Sequence, residues 1–210
     1  MCCRYAVTHL VPSITCRCAE ALKLNPMNRA EAIKKLVEHQ VLECSAKERS
    51  TIIECCFLEY DSDEEFVVFD DSLRAELLSG DIKGNLKDKR YDPIVVESLI
   101  YDYEGVKNSY IIDNLSACGI TVSAIAGAPT VMESCPCCGF QTLSEKGSYD
   151  ICAVCFWEDD GVLEPEKHSG PNHMTLAEGQ ANFKKYGACD EKSLEYIDKD
   201  GPLKFAKACT

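Results

Sequence analysis

Two C-x-x-C pairs in the C-terminal third of the chain constrain its fold more than any other feature. The first pair is Cys135 and Cys138, the second is Cys152 and Cys155, and thirteen residues separate them. Two cysteines three positions apart on a tight turn can direct both sulfurs at one ion, and this spacing is typical of a tetrahedral all-thiolate zinc site. The sequence therefore predicts one structural zinc ion held by these four cysteines.

Cys137 is an additional thiol inside the first pair. Its side chain is expected to project away from the turn that Cys135 and Cys138 define, so ligand exchange with Cys137 is the less favoured alternative. A thioredoxin-like redox role would need a strand-to-helix context, which two paired turns do not provide. Four cysteines also close the coordination shell, and this favours a structural zinc ion over a catalytic one.

The segments around the cysteines predict a small β module followed by a helix. Apolar stretches at 140–143 and 149–151 flank a polar stretch at 145–148, a pattern that predicts a hairpin with a turn. Downstream, Thr175 and Glu178 have the spacing of a capping box, which predicts a helix ending near Gly187.

The preceding hundred or so residues predict a helical body. Asn28 precedes an apolar pattern at helical spacing, Ser45 and Glu48 form a second capping-box pattern, and Pro93 suits a helical first turn. Cys55 falls within the apolar pattern of the second helix and is expected to be a buried hydrophobe. The predicted fold class is α+β: a helical N-terminal body with a C-terminal zinc-ribbon β-hairpin module followed by a helix.

Three segments are expected along the chain: a leader at 1–26, a helical acidic domain at 27–133 and a zinc-binding domain at 134–210. The leader has no amphipathic period, so Met27 is a candidate translation start. A lipoprotein signal ending at Cys16 is the weaker alternative, because the preceding stretch is polar and contains Pro12. Since no convincing signal peptide accompanies the fifteen cysteines, a reducing, cytoplasmic location is expected.

The charge of the chain bears on its partners. The formal net charge is -13 and the isoelectric point is about 4.8, so the protein should repel nucleic acid and anionic membranes and suit a basic protein partner. No apolar run approaches the roughly 20 residues of a membrane span. Two acidic runs are the candidate partner-binding residues, with solvated loops as the alternative interpretation: Asp61, Asp63, Glu64, Glu65 in the first and Glu158, Asp159, Asp160 in the second.

Several motifs together resemble a known family. They are Cys135-Pro-Cys-Cys-Gly-Phe, Tyr149-Asp-Ile-Cys-Ala-Val-Cys-Phe-Trp-Glu-Asp-Asp, Gly170-Pro-Asn-His-Met-Thr-Leu-Ala-Glu-Gly-Gln-Ala-Asn-Phe and Tyr186-Gly-Ala-Cys. This combination resembles the bacterial cysteine-rich CPCC family over residues 135–189, and more loosely over 27–133. The resemblance implies a zinc-binding module. Members of this kind occur beside polymorphic toxin genes, which suggests an immunity role.

The leading functional hypothesis is a non-enzymatic, zinc-binding immunity protein that covers the basic cleft of a toxin domain. The sequence has no Ser-His-Asp ordering, phosphate loop or Rossmann fingerprint that would indicate an enzyme. His168 and His173 lack further ligands at suitable spacing, so a second metal site is disfavoured. The alternatives are a nucleic-acid or transcription-associated zinc ribbon, which the charge disfavours, and a thiol redox protein acting through Cys137.

Overall fold

The computed structural model describes residues 26–59, 69–80 and 84–208, and the side chains of residues 56–59 lie outside this description. The leader up to residue 25 also lies outside it, as do four predicted partner-binding residues: Asp61, Asp63, Glu64 and Glu65. The described residues form helices first and short strands around a cysteine cluster later, so the predicted α+β class is confirmed. The division into segments at 26/27 and 133/134 stays a prediction.

Among the described residues, five helices within 29–117, here called the helical body, precede the four clustered cysteines. No helix in the described ranges combines the length and the apolar character needed to cross a membrane. A short 3₁₀ helix, Lys89–Tyr91, leads into the fourth of the five helices. The five are α1 (Arg29–Glu43), α2 (Ala46–Glu59), α3 (Asp71–Ser79), α4 (Asp92–Tyr101) and α5 (Asn108–Ala117).

The predicted start signals of these helices are confirmed. The Asn28 side chain accepts a hydrogen bond from the backbone N–H of Ala30 at 2.9 Å. At the start of α2, the Ser45 hydroxyl accepts from the Glu48 N–H at 3.2 Å, and the Glu48 carboxylate accepts from the Ser45 N–H at 2.9 Å. Each contact satisfies an N–H group that has no partner inside its helix. Cys55 is exposed, so the expectation that it is buried was wrong.

Two apolar clusters form the interior of the described residues. The α2–α4 cluster lies wholly before the cysteines and contains Ile53, Phe69, Leu73, Leu77, Tyr91, Ile94 and Val95. The shared core joins apolar residues of α1 and α5 to the cysteines, and its members include Leu36, Val37, Ile111, Leu115, Leu143, Trp157 and Leu176. The predicted helical and cysteine-rich segments are therefore packed against one another.

The strands are two or three residues long. The first pair lies outside residues 133–208, here called the cysteine-rich part, and the later strands lie within it. β1 (Met27–Asn28) pairs in parallel with β2 (Ile125–Ala126) at the edge of the helical body. β3 (Glu133–Ser134) then pairs antiparallel with β4 (Gln141–Leu143). Further on, β5 (His168–Ser169) pairs antiparallel with β6 (Met174–Thr175), and the predicted helix α6 follows at Leu176–Tyr186.

The cysteine-rich part contains a hairpin, but the prediction that it joins residues 140–143 to 149–151 was wrong. β4 pairs with β3 rather than with residues 149–151, and Ile151 forms a bridge to Glu158 instead. Tyr149 has a left-handed backbone, φ 66°, which a β-strand cannot contain. The Asp150 carboxylate accepts hydrogen bonds from the N–H and the hydroxyl of Ser144. Side-chain contacts therefore close this loop in place of a strand ladder.

The C-terminal residues fasten the cysteine-rich part to the helical body. A short helix, α7 (Gly201–Lys204), precedes a segment that forms backbone hydrogen bonds with residues of the first cysteine turn and β4. The Gln141 N–H donates to Ala206 O at 2.8 Å, and the Ala208 N–H donates to Gly139 O at 2.9 Å. The Lys107 N–H, just before α5, donates to Lys204 O at 2.8 Å. One stretch of chain thus contacts both parts.

Candidate metal centre

The first C-x-x-C pair lies on the turn between β3 and β4. The Cys135 N–H donates to Phe140 O at 2.9 Å, and the Gly139 N–H donates to Cys135 O at 2.9 Å. Gly139 has φ +77°, a left-handed conformation that costs other residues about 1–2 kcal/mol. This reversal brings Cys135 and Cys138 to the same side of the turn.

The second pair repeats the backbone geometry of the first. The Cys152 N–H donates to Trp157 O at 2.9 Å, and the Phe156 N–H donates to Cys152 O at 2.7 Å. Phe156 takes the left-handed position that Gly139 has in the first turn, with φ +66°. Its ring stacks on Tyr196 with centroids 5.1 Å apart. Packing of the ring therefore compensates for a backbone conformation that is unfavourable for phenylalanine.

The two turns bring four sulfur atoms together. The Sγ atoms of the four cysteines all lie within 4.8 Å of one another, and none of these side chains is more than 5% exposed: Cys135, Cys138, Cys152 and Cys155. The shortest separations are 3.6 Å, between Cys135 and Cys155 and between Cys138 and Cys152. A tetrahedral ion with metal–sulfur bonds of about 2.3 Å requires sulfurs about 3.8 Å apart. The four cysteines are thus arranged to hold one metal ion.

The electrostatics of the cluster favour a negatively charged sulfur. The pKa of the Cys152 thiol is lowered because Cys152 accepts hydrogen bonds from Cys135, Cys138 and Cys155, in decreasing order of effect. Hydrogen bonding with Cys138 raises the pKa of Cys135. Hydrogen bonds from the other cysteines of the group therefore stabilise negative charge on a sulfur of the cluster.

One contact to the cluster was missed by the sequence reasoning. The Thr142 hydroxyl, in the middle of β4, donates to the Cys152 Sγ at 3.0 Å. Thr142 is four residues beyond Cys138 and ten before Cys152, so the spacing of neither C-x-x-C pair indicates a contact with this residue. Its role depends on how β4 lies across the second turn, which is tertiary information.

Cys137 is not part of the four-sulfur group. It is 6% exposed, and its Sγ lies 3.5 Å from the point where a Cβ on Gly179 would stand. The same point lies 2.7 Å from the ring of Trp157, which is completely buried. Trp157 therefore belongs to the core, as predicted, and Gly179 is required where α6 crosses it. Cys137 packs beneath α6 as a small buried side chain.

The carboxylates after the second pair mainly organise loops. Asp159 is 1% exposed and accepts hydrogen bonds from the N–H groups of Gly147 at 2.8 Å and Gly161 at 3.4 Å. Asp160 accepts from the Gly170 N–H at 3.2 Å. The burial of Asp159 removes it from the surface that a partner can contact, so Glu158 and Asp160, both partly exposed, are what the second acidic run presents.

The candidate second-metal histidines do not assemble a further site. His168 lies in β5, and His173 follows it in the turn to β6 with φ +54°. Among the described residues, the four-cysteine group is the one set of histidine, cysteine and acidic side chains close enough to hold a metal ion.

One part of the chain is similar to a known protein family. Residues 133–202 match the model of the cysteine-rich CPCC family. The matched range contains the four cluster cysteines, and the motif resemblance is confirmed there. No curated protein and no solved structure matches the chain.

Proposed function

We propose that this protein is a non-enzymatic zinc-binding protein, since residues 133–202 match the model of the cysteine-rich CPCC family. The observation that carries the proposal is the group of four buried sulfurs within 4.8 Å of one another. Four thiolates in a tetrahedral arrangement select zinc over the hard cations Mg²⁺ and Ca²⁺, which take oxygen ligands. Cys135, Cys138, Cys152 and Cys155 would be the ligands.

The zinc ion is proposed to stabilise the fold rather than to catalyse a reaction. Four cysteines fill a tetrahedral shell, whereas catalytic zinc sites keep one position open for water or substrate. The cluster is also closed to solvent, because its side chains are at most 5% exposed. The strands around it are two or three residues long, so zinc would hold together a region with little regular structure of its own.

Elemental analysis of the full-length protein, purified under reducing conditions, tests this proposal. We expect one zinc ion per chain, and no bound zinc in the variant Cys135→Ser. Cys55→Ser is the matched control, because it makes the same chemical change at an exposed cysteine of α2. A reduced wild-type protein that binds no zinc would contradict the proposal.

We further propose that the protein acts in the cytoplasm as an immunity protein, binding a toxin domain with a basic cleft. The net charge of -13 supports a basic partner, since complementary charge accelerates association and discriminates against acidic proteins. The proposed contacts are the two acidic runs, with Asp159 excluded by its burial: Asp61, Asp63, Glu64, Glu65, Glu158 and Asp160.

A cleft between the two parts of the protein supports the same partner chemistry. It has a volume of about 370 Å³ and is lined by the acidic side chains of Asp102, Glu104 and Asp198, with Lys204 as the basic group. Tyr101 and Tyr196 line the same cleft and are 68% and 62% exposed. Carboxylates beside exposed aromatic rings suit a lysine or arginine side chain, which can pair with one and stack on the other.

Co-expression with a toxin domain encoded by a neighbouring gene of the source genome, once one is identified there, tests the immunity proposal. We expect the wild-type chain to restore growth, and the double variant Asp102→Lys, Glu104→Lys to restore it less. The double variant Glu38→Lys, Glu54→Lys, at exposed carboxylates of α1 and α2, is the control, because it changes the net charge by the same amount. Unchanged lethality with the wild-type chain would contradict the proposal.

Salt-dependent retention of DNA or RNA by the purified protein would support the nucleic-acid alternative. Rapid alkylation of Cys137 in the zinc-loaded protein would support the alternative of a thiol redox protein.

A further inference from the structure

The hydrogen bond from Thr142 to Cys152 links the metal cluster to its surroundings. The Oγ1–Sγ distance is 3.0 Å, and Thr142 is half-buried. Its position is fixed by the backbone: on either side of it, Gln141 pairs with Ser134, and Leu143 with Glu133. The Gln141 N–H also donates to Ala206 O at 2.8 Å. The threonine hydroxyl is therefore held on the second cysteine turn by strands from elsewhere in the chain.

A donor at this position matters because of the charge of a loaded site. Four thiolates around a divalent cation leave two excess negative charges in a place that solvent does not reach, since Cys152 and Cys155 are completely buried. Hydrogen bonds to charged acceptors are roughly twice as strong as neutral ones. Groups that hydrogen-bond metal ligands typically change metal affinity by about 10–100-fold when they are removed.

The surroundings of Thr142 add a second consideration. Thr142 and Ala153 both line the cleft of about 370 Å³ between the two parts of the protein. Ala153 follows Cys152 directly in the second turn. Thr142 thus lies between the buried Cys152 and a solvent-facing cleft, which is the side from which a chelator or an electrophile would approach.

We propose that Thr142 is a positioning residue for zinc retention, an inference that rests on the proposed zinc-binding function. Its hydroxyl donates to the Cys152 thiolate in the loaded protein, withdraws electron density from that sulfur and makes it a poorer nucleophile and a better retained ligand. Removing the hydroxyl leaves Cys152 with one donor fewer and leaves a methyl or a gap at the wall of the cleft. Zinc is then released more readily through Cys152.

Three variants of the full-length protein separate the hydroxyl from the shape of the side chain. Thr142→Val replaces the hydroxyl with a methyl, Thr142→Ser keeps the hydroxyl, and Thr142→Ala removes both branches. Zinc affinity is measured by competition with a chromophoric chelator. The energy of the sulfur-to-metal charge-transfer band is measured with Co²⁺ in place of zinc. Emission from Trp157, the single tryptophan of the chain, shows whether each variant is folded.

We expect Thr142→Val and Thr142→Ala to bind zinc about tenfold more weakly or worse, and Thr142→Ser to stay within about twofold of the wild type. The charge-transfer band should move to lower energy in the valine and alanine variants, because a sulfur without its donor gives up an electron more easily. A purely structural role would leave this band in place. If Thr142→Val does not fold, the alanine and serine variants form the deciding pair.

Two results would overturn the inference, and they are distinguishable from failure of the proposed function. A wild-type affinity and an unshifted band in the valine and alanine variants would show that the hydroxyl has no effect on the metal. A loss in Thr142→Ser equal to that in Thr142→Val would assign the effect to packing. If the wild-type protein itself binds neither zinc nor Co²⁺, the zinc proposal fails and this inference fails with it.

Discussion

The helical body and the cysteine-rich part bury their interiors by different means. The body uses helices of nine to fifteen residues whose apolar faces meet, as in the α2–α4 cluster, whose buried members are aliphatic and aromatic residues. The cysteine-rich part has strands of two or three residues, and its interior includes the four cluster cysteines and Trp157. We therefore expect the α2–α4 cluster to be stabilised by hydrophobic packing alone, and the cysteine-rich part to depend on the proposed zinc ion as well.

Two spectroscopic signals separate these parts. Trp157 is the single tryptophan of the chain and is completely buried against α6 in the cysteine-rich part, so its emission reports that part more than the helical body. The far-ultraviolet circular dichroism comes mainly from α1 to α5, because these helices contain most of the helical residues described. Each of the changes below is expected to affect one signal more than the other.

The largest effect is expected from the variant Cys152→Ser. It removes one of four ligands, and structural zinc contributes on the order of 10 kcal/mol to small zinc-bound modules. We expect the metal to be lost and the emission of Trp157 to shift to the red, while most of the helical circular dichroism remains. Cys55→Ser, at an exposed cysteine, should change neither signal. Parallel loss of both signals would show that the two parts unfold as one unit.

The next largest effect is expected in the helical body, from Arg49→Met. Arg49 is 8% exposed, donates to the carbonyl groups of Leu86 at 2.8 Å and Asp88 at 2.9 Å, and pairs with the Asp92 carboxylate at 2.5 Å. Removing it takes the guanidinium donor from the Leu86 carbonyl and the Asp92 carboxylate, whereas Asp88 O still accepts from the Tyr91 N–H at 3.1 Å. The loss should cost about 2–4 kcal/mol. Thermal unfolding followed by circular dichroism measures the loss.

A control at the surface makes the Arg49 result specific. Lys35→Met removes a cation from an exposed pair with Glu31 on α1, at 3.7 Å, and exposed pairs of this kind contribute about 0.3–0.5 kcal/mol. The metal content should stay the same in both variants. Equal losses of stability for Arg49→Met and Lys35→Met would argue against a structural role for the buried guanidinium.

A smaller effect is expected from Gly179→Ala in the cysteine-rich part. Alanine is favoured over glycine within a helix by about 1 kcal/mol, but its Cβ would stand 2.7 Å from the buried ring of Trp157. Overpacking of this kind costs about 1–3 kcal/mol, and it should prevail because a completely buried ring has little room to move. Unfolding followed by Trp157 emission measures the result.

Gly170→Ala provides the contrast for Gly179. No atom lies within 4 Å of the position that its Cβ would take, so its stability should change by less than about 0.5 kcal/mol. A Gly179→Ala protein that is more stable than the wild type would show that helix propensity outweighs the clash and that α6 can move away from Trp157.

Local patterns in the sequence were sufficient for the cluster and the helix starts. The spacing of Cys135, Cys138, Cys152 and Cys155 fixes two equivalent turns, and capping depends on residues three positions apart. The pairing of β4 depended instead on the left-handed Tyr149 and on side-chain contacts of Asp150, neither of which produces a periodic signal. Thr142 and Gly179 acquire their roles through contacts with distant turns and helices, so no local pattern marks them.

The two capping boxes allow the smallest predicted difference to be measured in both parts. Ser45→Ala removes the cap of α2, and Thr175→Ala removes the cap of α6, where the Thr175 hydroxyl accepts from the Glu178 N–H at 3.2 Å. Each should cost about 1 kcal/mol. Ser45→Ala should affect the helical circular dichroism first, and Thr175→Ala the emission of Trp157.

The pH dependence of these caps follows from their glutamates. Hydrogen bonds from Ser45 lower the pKa of Glu48, and hydrogen bonds from Thr175 lower the pKa of Glu178. A carboxyl whose pKa is depressed by folding stabilises the protein above its unfolded pKa, and this contribution disappears as the pH falls through the folded pKa. The difference in the free energy of unfolding between each alanine variant and the wild type should therefore become smaller as the pH falls.

If Thr175→Ala changed the circular dichroism and the Trp157 emission equally, α6 would have to unfold together with the helical body, and the separation between the two parts would not hold.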